Sequence, residues 1–360
     1  MSLPQPRPEV AGLPAYVPGA RGDADRLPPV KLSSNEIPYP PLPSVARAIA
    51  RVGDGIHRYP DMQASELHAR LGERFGVGAE RVAVGGGSVA VLQHILQAFA
   101  GPGDEVLFAW RSFEAYPILT SIAGATPVMV PLTADGRHDI DAMAAAVTDR
   151  TRVAMLCSPN NPTGPTLTRD EFARFMAAVP RSLLVVLDEA YVEFVRDADA
   201  VAGLEELERH PNLLVLRTFS KAYGLAGARV GFALGPVELI TPVRACVTPF
   251  SVSSTAQAAA MASLEPVAEA ELLERVDAVV AERPRLREGL RALGWDVPEA
   301  QGNFVWLPAG ERTVEIAVAL AALEPAVLVR PFAGEGIRVT VGSAVENDAV
   351  LAAMEAHRGA

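Results

Sequence analysis

Lys31 and Lys221 are the two lysines in a chain of 360 residues whose other basic side chains, histidines apart, are arginines. A guanidinium stays protonated at any workable pH, whereas a lysine ε-amine can lose its proton in a suitable pocket and condense with an aldehyde. Lys221 stands in Thr218-Phe219-Ser220-Lys221-Ala222-Tyr223-Gly224, just after the apolar run Leu213-Leu214-Val215-Leu216 and before Ala226-Gly227-Ala228-Arg229-Val230-Gly231. The run reads as a buried parallel strand and the small residues as a turn. That places the amine at a strand's exit edge, where open α/β sheets bind their ligands. A surface lysine in a loop is the bland alternative, and the flanking hydroxyls and glycines fit it less well.

Other residues repeat this placement. Asp188 closes the apolar stretch Leu183 to Leu187 and is followed by Glu189-Ala190-Tyr191. A carboxylate at the exit of a buried strand is costly unless it meets a cation or a protonated heterocycle, although a helix cap or an arginine pair would also satisfy it. One helix and one return strand fit between Asp188 and Lys221, which sets both on one sheet edge. Asn160-Asn161-Pro162-Thr163-Gly164 leaves a third apolar run, Val153 to Cys157; it forms either a plain turn or a turn whose Asn161 amide reaches a ligand oxygen. Gly85-Gly86-Gly87-Ser88, between a strand and a helix, is either a tight corner or a phosphate cradle of free amides at a helix N-terminus. Arg338, in a late strand, is either a solvated charge or a bidentate grip on a carboxylate.

Positioning these groups requires an alternating framework. Val82-Ala83-Val84, Val106-Leu107-Phe108, Thr126 to Val130, Val153 to Leu156, Leu183 to Leu187, Leu213 to Leu216 and Val230 to Ala233 are short apolar strand candidates. Helical stretches such as Val89 to Phe99, Asp139 to Val147 and Arg169 to Ala178 separate many of them. The alternation predicts an α/β fold with a mainly parallel sheet covered on both faces. From about Thr255 the chain reads as helix through Leu293, then as strands at Asn303 to Trp306, Val327 to Arg330 and Ile337 to Val341, with a last helix after Asn347. These form a smaller α+β unit. A short helix is expected over Ser44 to Arg51, and another from Asp61, with Leu67, Leu71 and Phe75 at helical spacing. Residues 1 to about 30, dense in proline and glycine, read as an extended arm.

Hydrophobic content of 49% with 21% charged residues supplies a core, and a net charge of −11 argues against nucleic acid or an anionic membrane as the main partner. Small molecules suit this balance better. Cys157 and Cys246 make no disulfide framework, and no run approaches the roughly 20 apolar residues a membrane span needs. A cytoplasmic protein without a metal site is expected.

Taken together, Ser220-Lys221 within Thr218 to Gly231, Asp188 with Tyr191, and Asn161-Pro162-Thr163-Gly164 resemble the fold-type I aminotransferases that use pyridoxal 5′-phosphate, in order and spacing over nearly the whole chain. Within that group the chain is similar to the histidinol-phosphate aminotransferase family through Ser34-Asn35-Glu36, Arg58-Tyr59-Pro60, Asp188-Glu189-Ala190-Tyr191, Ser220-Lys221-Ala222 and Arg338-Val339-Thr340-Val341-Gly342. It departs from that family where an acidic pair commonly follows the glycine-turn serine, carrying Val89-Ala90-Val91 instead, and again at Trp110 to Tyr116. Both departures resemble the actinobacterial aromatic, or phenylalanine, aminotransferase branch.

The resemblance implies an arm over residues 1–30, a small domain of 31–50 with 250–360, and a large cofactor-binding domain of 51–249. It implies that Lys221 carries the cofactor's Schiff base and moves the substrate proton, that Asp188 keeps the pyridine nitrogen protonated, and that Asn161 and Tyr191 hydrogen-bond the ring's phenolate oxygen. Gly87, Ser88, Thr218, Ser220 and Arg229 would bind the cofactor phosphate, with Tyr59 reaching over from the partner of a homodimer, and Phe113 would stack on the ring. Arg338 would hold the substrate carboxylate with Asn303 and Asn35 nearby, while Arg330 and Tyr16 match positions that bind substrate phosphate in the histidinol-phosphate enzymes. The implied reaction moves an amino group between an aromatic L-amino acid and 2-oxoglutarate. Histidinol-phosphate transamination is the first alternative and decarboxylation on the same fold the second; a non-catalytic regulator would add a DNA-binding segment, and none is visible.

Overall fold

The computed structural model describes residues 3–13, 18–20 and 27–356. Twelve strands fall into three sheets. They are β1 (Val30–Lys31), β2 (Val82–Gly85), β3 (Glu105–Trp110), β4 (Thr126–Pro131), β5 (Thr151–Cys157), β6 (Leu184–Asp188), β7 (Leu213–Thr218), β8 (Gly231–Leu234), β9 (Phe304–Leu307), β10 (Val327–Leu328), β11 (Arg330–Phe332) and β12 (Gly336–Thr340). Seven of them form the main sheet in the order β2-β8-β7-β6-β5-β3-β4. Only β8 runs against the rest, pairing antiparallel with both β2 and β7. The anticipated α/β class and mainly parallel sheet are therefore present.

Apolar runs without alternation give this sheet two dry faces. Within β3, Leu107 and Ala109 face one core cluster while Val106 and Phe108 face another, and every residue of β6 and β7 is buried. Covering helices include Ser88–Phe99, Ala115–Ala123 and Arg169–Ala178. The last of these starts at a capping box, in which the Thr168 hydroxyl accepts from the Glu171 amide and the Glu171 carboxylate accepts from the Thr168 amide.

The C-terminal part is a three-stranded antiparallel sheet, β11-β12-β9, packed with Pro266–Ala292, Thr313–Ala321 and Ala344–Ala356. Here the details differ from expectation. The run Val327 to Arg330 is broken: β10 pairs in parallel with β1, and after Val329 the chain switches sheets so that β11 pairs with β12. The final helix begins at Ala344 and has Asn347 inside it, where the Asn347 carboxamide donates to the Gly342 carbonyl and accepts from its amide. The helix expected from Asp61 starts at Ser65; Asp61 lies in the preceding turn and accepts from the Gln63 and Ser65 amides. The expected arm contains one helical turn, Pro8–Ala11, which rests against Ala115–Ala123. Among the described residues no helix is long and apolar enough to cross a membrane.

Candidate active site

Parallel register brings β5, β6 and β7 to a common edge, with Cys157 opposite Asp188 and Asp188 opposite Leu216. The segments leaving these strands carry Asn161, Tyr191 and Lys221. They meet the turn before Ser88, the loop Ser33-Ser34 and strands β11 and β12 around a cavity of about 240 Å³.

Lys221 Nζ donates to the Ser34 carbonyl at 3.0 Å and lies 5.7 Å from the centre of the Tyr191 ring. Burial first, and then the Arg338 guanidinium, lowers its pKa to about 7. The lysine side chain itself is half-buried, so the amine reaches the cavity while its stem is packed. A neutral nucleophile is thus populated near pH 7.

Asp188, at the end of β6, is buried. Its Oδ2 accepts from the Tyr116 hydroxyl at 2.7 Å, while its Oδ1 is buried with no hydrogen-bond partner. Burial raises the carboxyl pKa to about 6; the Tyr116 bond and the nearby Ala190 amide, which misses hydrogen-bond geometry, temper the rise. An orphaned buried acceptor costs about 1–3 kcal/mol, so it marks a place built for a donor.

Tyr191 is held by Asn35, whose Nδ2 donates to the tyrosine oxygen at 3.0 Å, and burial pushes the phenol pKa up. Asn35 adopts φ +53°, a left-handed conformation that asparagine tolerates better than most residues. Its backbone and side chain are fixed by Thr340 and by Asn303 Nδ2, so Asn35 and Asn303 stand one layer behind the cavity wall. Arg338 donates to Asn161 Oδ1 at 2.5 Å and to the Ser33 carbonyl at 2.8 Å. The clamp candidate is thereby joined to one strand exit and to the loop beside Lys221.

At the other end of the cavity Gly87 has φ +90°, and a Cβ there would lie 2.4 Å from Arg229 Nη2. Ser88 opens the helix Ser88–Phe99, and a Cβ on Gly231 would come within 2.3 Å of the Ser88 amide. The glycines let the backbone close in on itself and leave a concave pocket of donors. Thr218 Oγ1 accepts from the Ser220 amide, and Arg229 Nη1 donates to Ser220 Oγ at 3.2 Å. Phe113 lines the cavity with its ring edge-on to Tyr116, and Arg330 lines it too.

One candidate is elsewhere. Tyr59 is 82% exposed, stacked on Phe250 with centroids 4.5 Å apart, and does not line the cavity of its own chain. Tyr16 lies outside the described residues. Tyr116, Glu114 and the carbonyls of Ser33 and Ser34 belong to the site without having been singled out by sequence. Tyr116 lies in the first turn of the helix Ala115–Ala123, just after Phe113, whose ring it meets edge-on; a carbonyl contact has no side-chain signature.

The chain belongs to the family of class I and II aminotransferases, whose model matches residues 28–356. It is a transaminase of fold type I. Over 355 residues it is 54% identical to a Streptomyces coelicolor protein named aromatic amino acid aminotransferase, covering 99% of this chain and 98% of the relative. A Streptomyces avermitilis protein of the same name is also 54% identical, over 356 residues, with 99% and 98% covered. The crystal structure of a histidinol-phosphate aminotransferase from Sinorhizobium meliloti in complex with pyridoxal-5′-phosphate matches with a TM-score of 0.88 at 26% identity, covering 99% of this chain and 98% of that one.

The family implies pyridoxal 5′-phosphate, and the residues fit it. The orphaned Asp188 Oδ1 suits a ring N–H, the helix start at Ser88 with Ser220 and Arg229 suits a phosphate, and Lys221 suits an aldehyde. Only the neutral amine attacks, so aldehyde capture by the cofactor-free chain is expected to accelerate as pH rises through about 7 and then level off. Stopped-flow absorbance of the cofactor checks this; a rate still climbing toward the ordinary lysine value of 10.5 would contradict the lowered pKa.

Proposed function

We propose that this chain is a pyridoxal 5′-phosphate enzyme that moves an amino group between an aromatic L-amino acid and 2-oxoglutarate. The observation that carries this reading is the meeting, in one cavity, of a lysine with a depressed pKa, a buried carboxylate with an open acceptor, and an arginine from a different sheet. The near full-length likeness to relatives named aromatic amino acid aminotransferase supports the choice of substrate.

When bound, pyridoxal 5′-phosphate supplies an aldehyde to capture an amine and a ring that withdraws electrons from the substrate's Cα. The chain's residues do the rest. Lys221 Nζ would anchor the group and, once freed by an amino acid, would take the Cα proton as base and deliver it as acid to the carbon that had carried the aldehyde; an amine titrating near 7 suits both roles at neutral pH. Asp188 Oδ1 would accept from the ring N–H and, as a carboxylate held by Tyr116, would favour the protonated nitrogen. Asn161 and Tyr191 would hold the ring's phenolate oxygen, Phe113 would pack on the ring, and Gly87, Ser88, Thr218, Ser220 and Arg229 would take the phosphate. Arg338 grips the substrate carboxylate from β12, which fixes the Cα–H relative to Lys221.

A homodimer follows from the same reading. Tyr59 and Phe250 form an exposed aromatic stack that does not line their own cavity, and a partner would receive the Tyr59 hydroxyl at its cofactor phosphate. Residues 51–249 act as the cofactor-binding domain, with 31–50 and 250–360 as the smaller one and 1–30 as an arm, in the cytoplasm. Histidinol-phosphate transamination is the second reading, favoured by Arg330 in the cavity wall. Side-by-side kcat/KM for phenylalanine and histidinol phosphate, with 2-oxoglutarate as acceptor, decides between them. We expect phenylalanine to be preferred by an order of magnitude or more, and the reverse preference would assign the enzyme to the phosphate substrate.

A further inference from the structure

Three arginines line the cavity; with Arg229 at the phosphate end, Arg330 and Arg338 remain for a substrate, and an amino acid brings one α-carboxylate. Arg330 and Arg338 are register partners in the antiparallel pair β11-β12, so both side chains rise from one face of that sheet. Left bare, Arg330 would present a second positive charge to whatever side chain the substrate carries. It is not bare. Arg330 Nη2 donates to Glu114 Oε2 at 2.6 Å, and its Nη1 donates to the Pro18 carbonyl at 3.1 Å. The Arg330 side chain is 8% exposed and the Glu114 side chain 28%, and both line the cavity. Glu114 arrives from the loop after β3, beside Phe113, so the pair also bridges the two sheets.

We infer that Glu114 is a specificity-determining residue, the counter-ion that cancels Arg330 and tunes the side-chain pocket for an uncharged aromatic group against a phosphate-bearing one. The inference rests on the aminotransferase reading above and deepens it. An aromatic side chain enters beside Phe113 and Val89 and leaves the ion pair intact. A phosphate monoester has to displace Glu114 from Arg330 or lie against the carboxylate, and both cost free energy that the aromatic substrate does not meet. Selectivity thus comes from a repulsive element and not from the absence of a cation.

The test uses the holoenzyme and compares Glu114→Gln with the parent for phenylalanine and histidinol phosphate. The ratio of kcat/KM for histidinol phosphate to that for phenylalanine is expected to rise about tenfold or more, mainly through a lower KM for histidinol phosphate. Competitive inhibition by inorganic phosphate should strengthen in parallel. A ratio that stays within about threefold of the parent's overturns the inference, and so does a fall in thermal stability with no change in ratio; the latter would mean that Glu114 only relieves the Arg330–Arg338 repulsion. Glu114→Ala deletes the same charge with a different side chain, and must shift the ratio in the same direction. The parent's own preference tests the aromatic reading, whereas the shift on mutation tests Glu114, so either can fail alone.

Discussion

Replacing Lys221 by Ala is expected to lower turnover by about 10⁴-fold or more and to abolish cofactor absorbance that survives denaturation. The size follows from the two duties proposed for one side chain, attachment and proton movement, and from the lack of a substitute. Lys31, the other lysine, is engaged with Glu36, its Nζ 2.5 Å from the carboxylate, and sits in β1. The fold should survive the change, because the Lys221 amine makes one hydrogen bond, to the Ser34 carbonyl. Denaturing the holoenzyme in guanidinium, filtering it and recording its spectrum separates covalent from dissociable cofactor. Full absorbance retained on the Ala variant would falsify the assignment of Lys221.

For Asp188→Asn, the cofactor should still bind through its phosphate contacts while turnover falls on the order of 10³-fold. The carboxamide keeps the volume of the buried site and an oxygen for Tyr116, but it has no charge to favour a protonated ring nitrogen. Asp188→Ala is the harsher change, since it leaves the Tyr116 hydroxyl buried without its acceptor at an added cost of about 1–3 kcal/mol. Half-reaction kinetics with phenylalanine, at saturating cofactor, measures the loss directly. Turnover within about tenfold of the parent would remove the charge of Asp188 from the mechanism.

Asn161, Asp188 and Lys221 are legible in the sequence for a common reason. Each follows an apolar run that only a strand covered on both faces tolerates, and polar groups just past such runs gather at one edge. Arg338 is legible more weakly, as a charge inside a strand whose other residues are uncharged. What remains hidden is of two kinds. Contacts to main-chain carbonyls, such as Lys221 to Ser34 and Arg338 to Ser33, leave no trace in residue identity. Charge pairs between distant segments, such as Glu114 with Arg330, depend on how two sheets are set against each other, which local pattern does not encode. The break after Leu328 belongs with these: four apolar-to-basic residues read as one strand, and only the competing partners β1 and β12 divide them.

The long reach of the Arg338 contacts orders the making of the enzyme in time. Synthesis runs from the N-terminus, and the seven-stranded sheet with its lysine is complete once Leu234 has been added. The guanidinium that bonds to the Ser33 carbonyl arrives 305 residues after its acceptor. A nascent chain stopped between Leu234 and Arg338 holds the lysine but lacks the proposed grip on an amino acid's carboxylate. Substrate chemistry therefore waits until β12 has been translated and has left the ribosome.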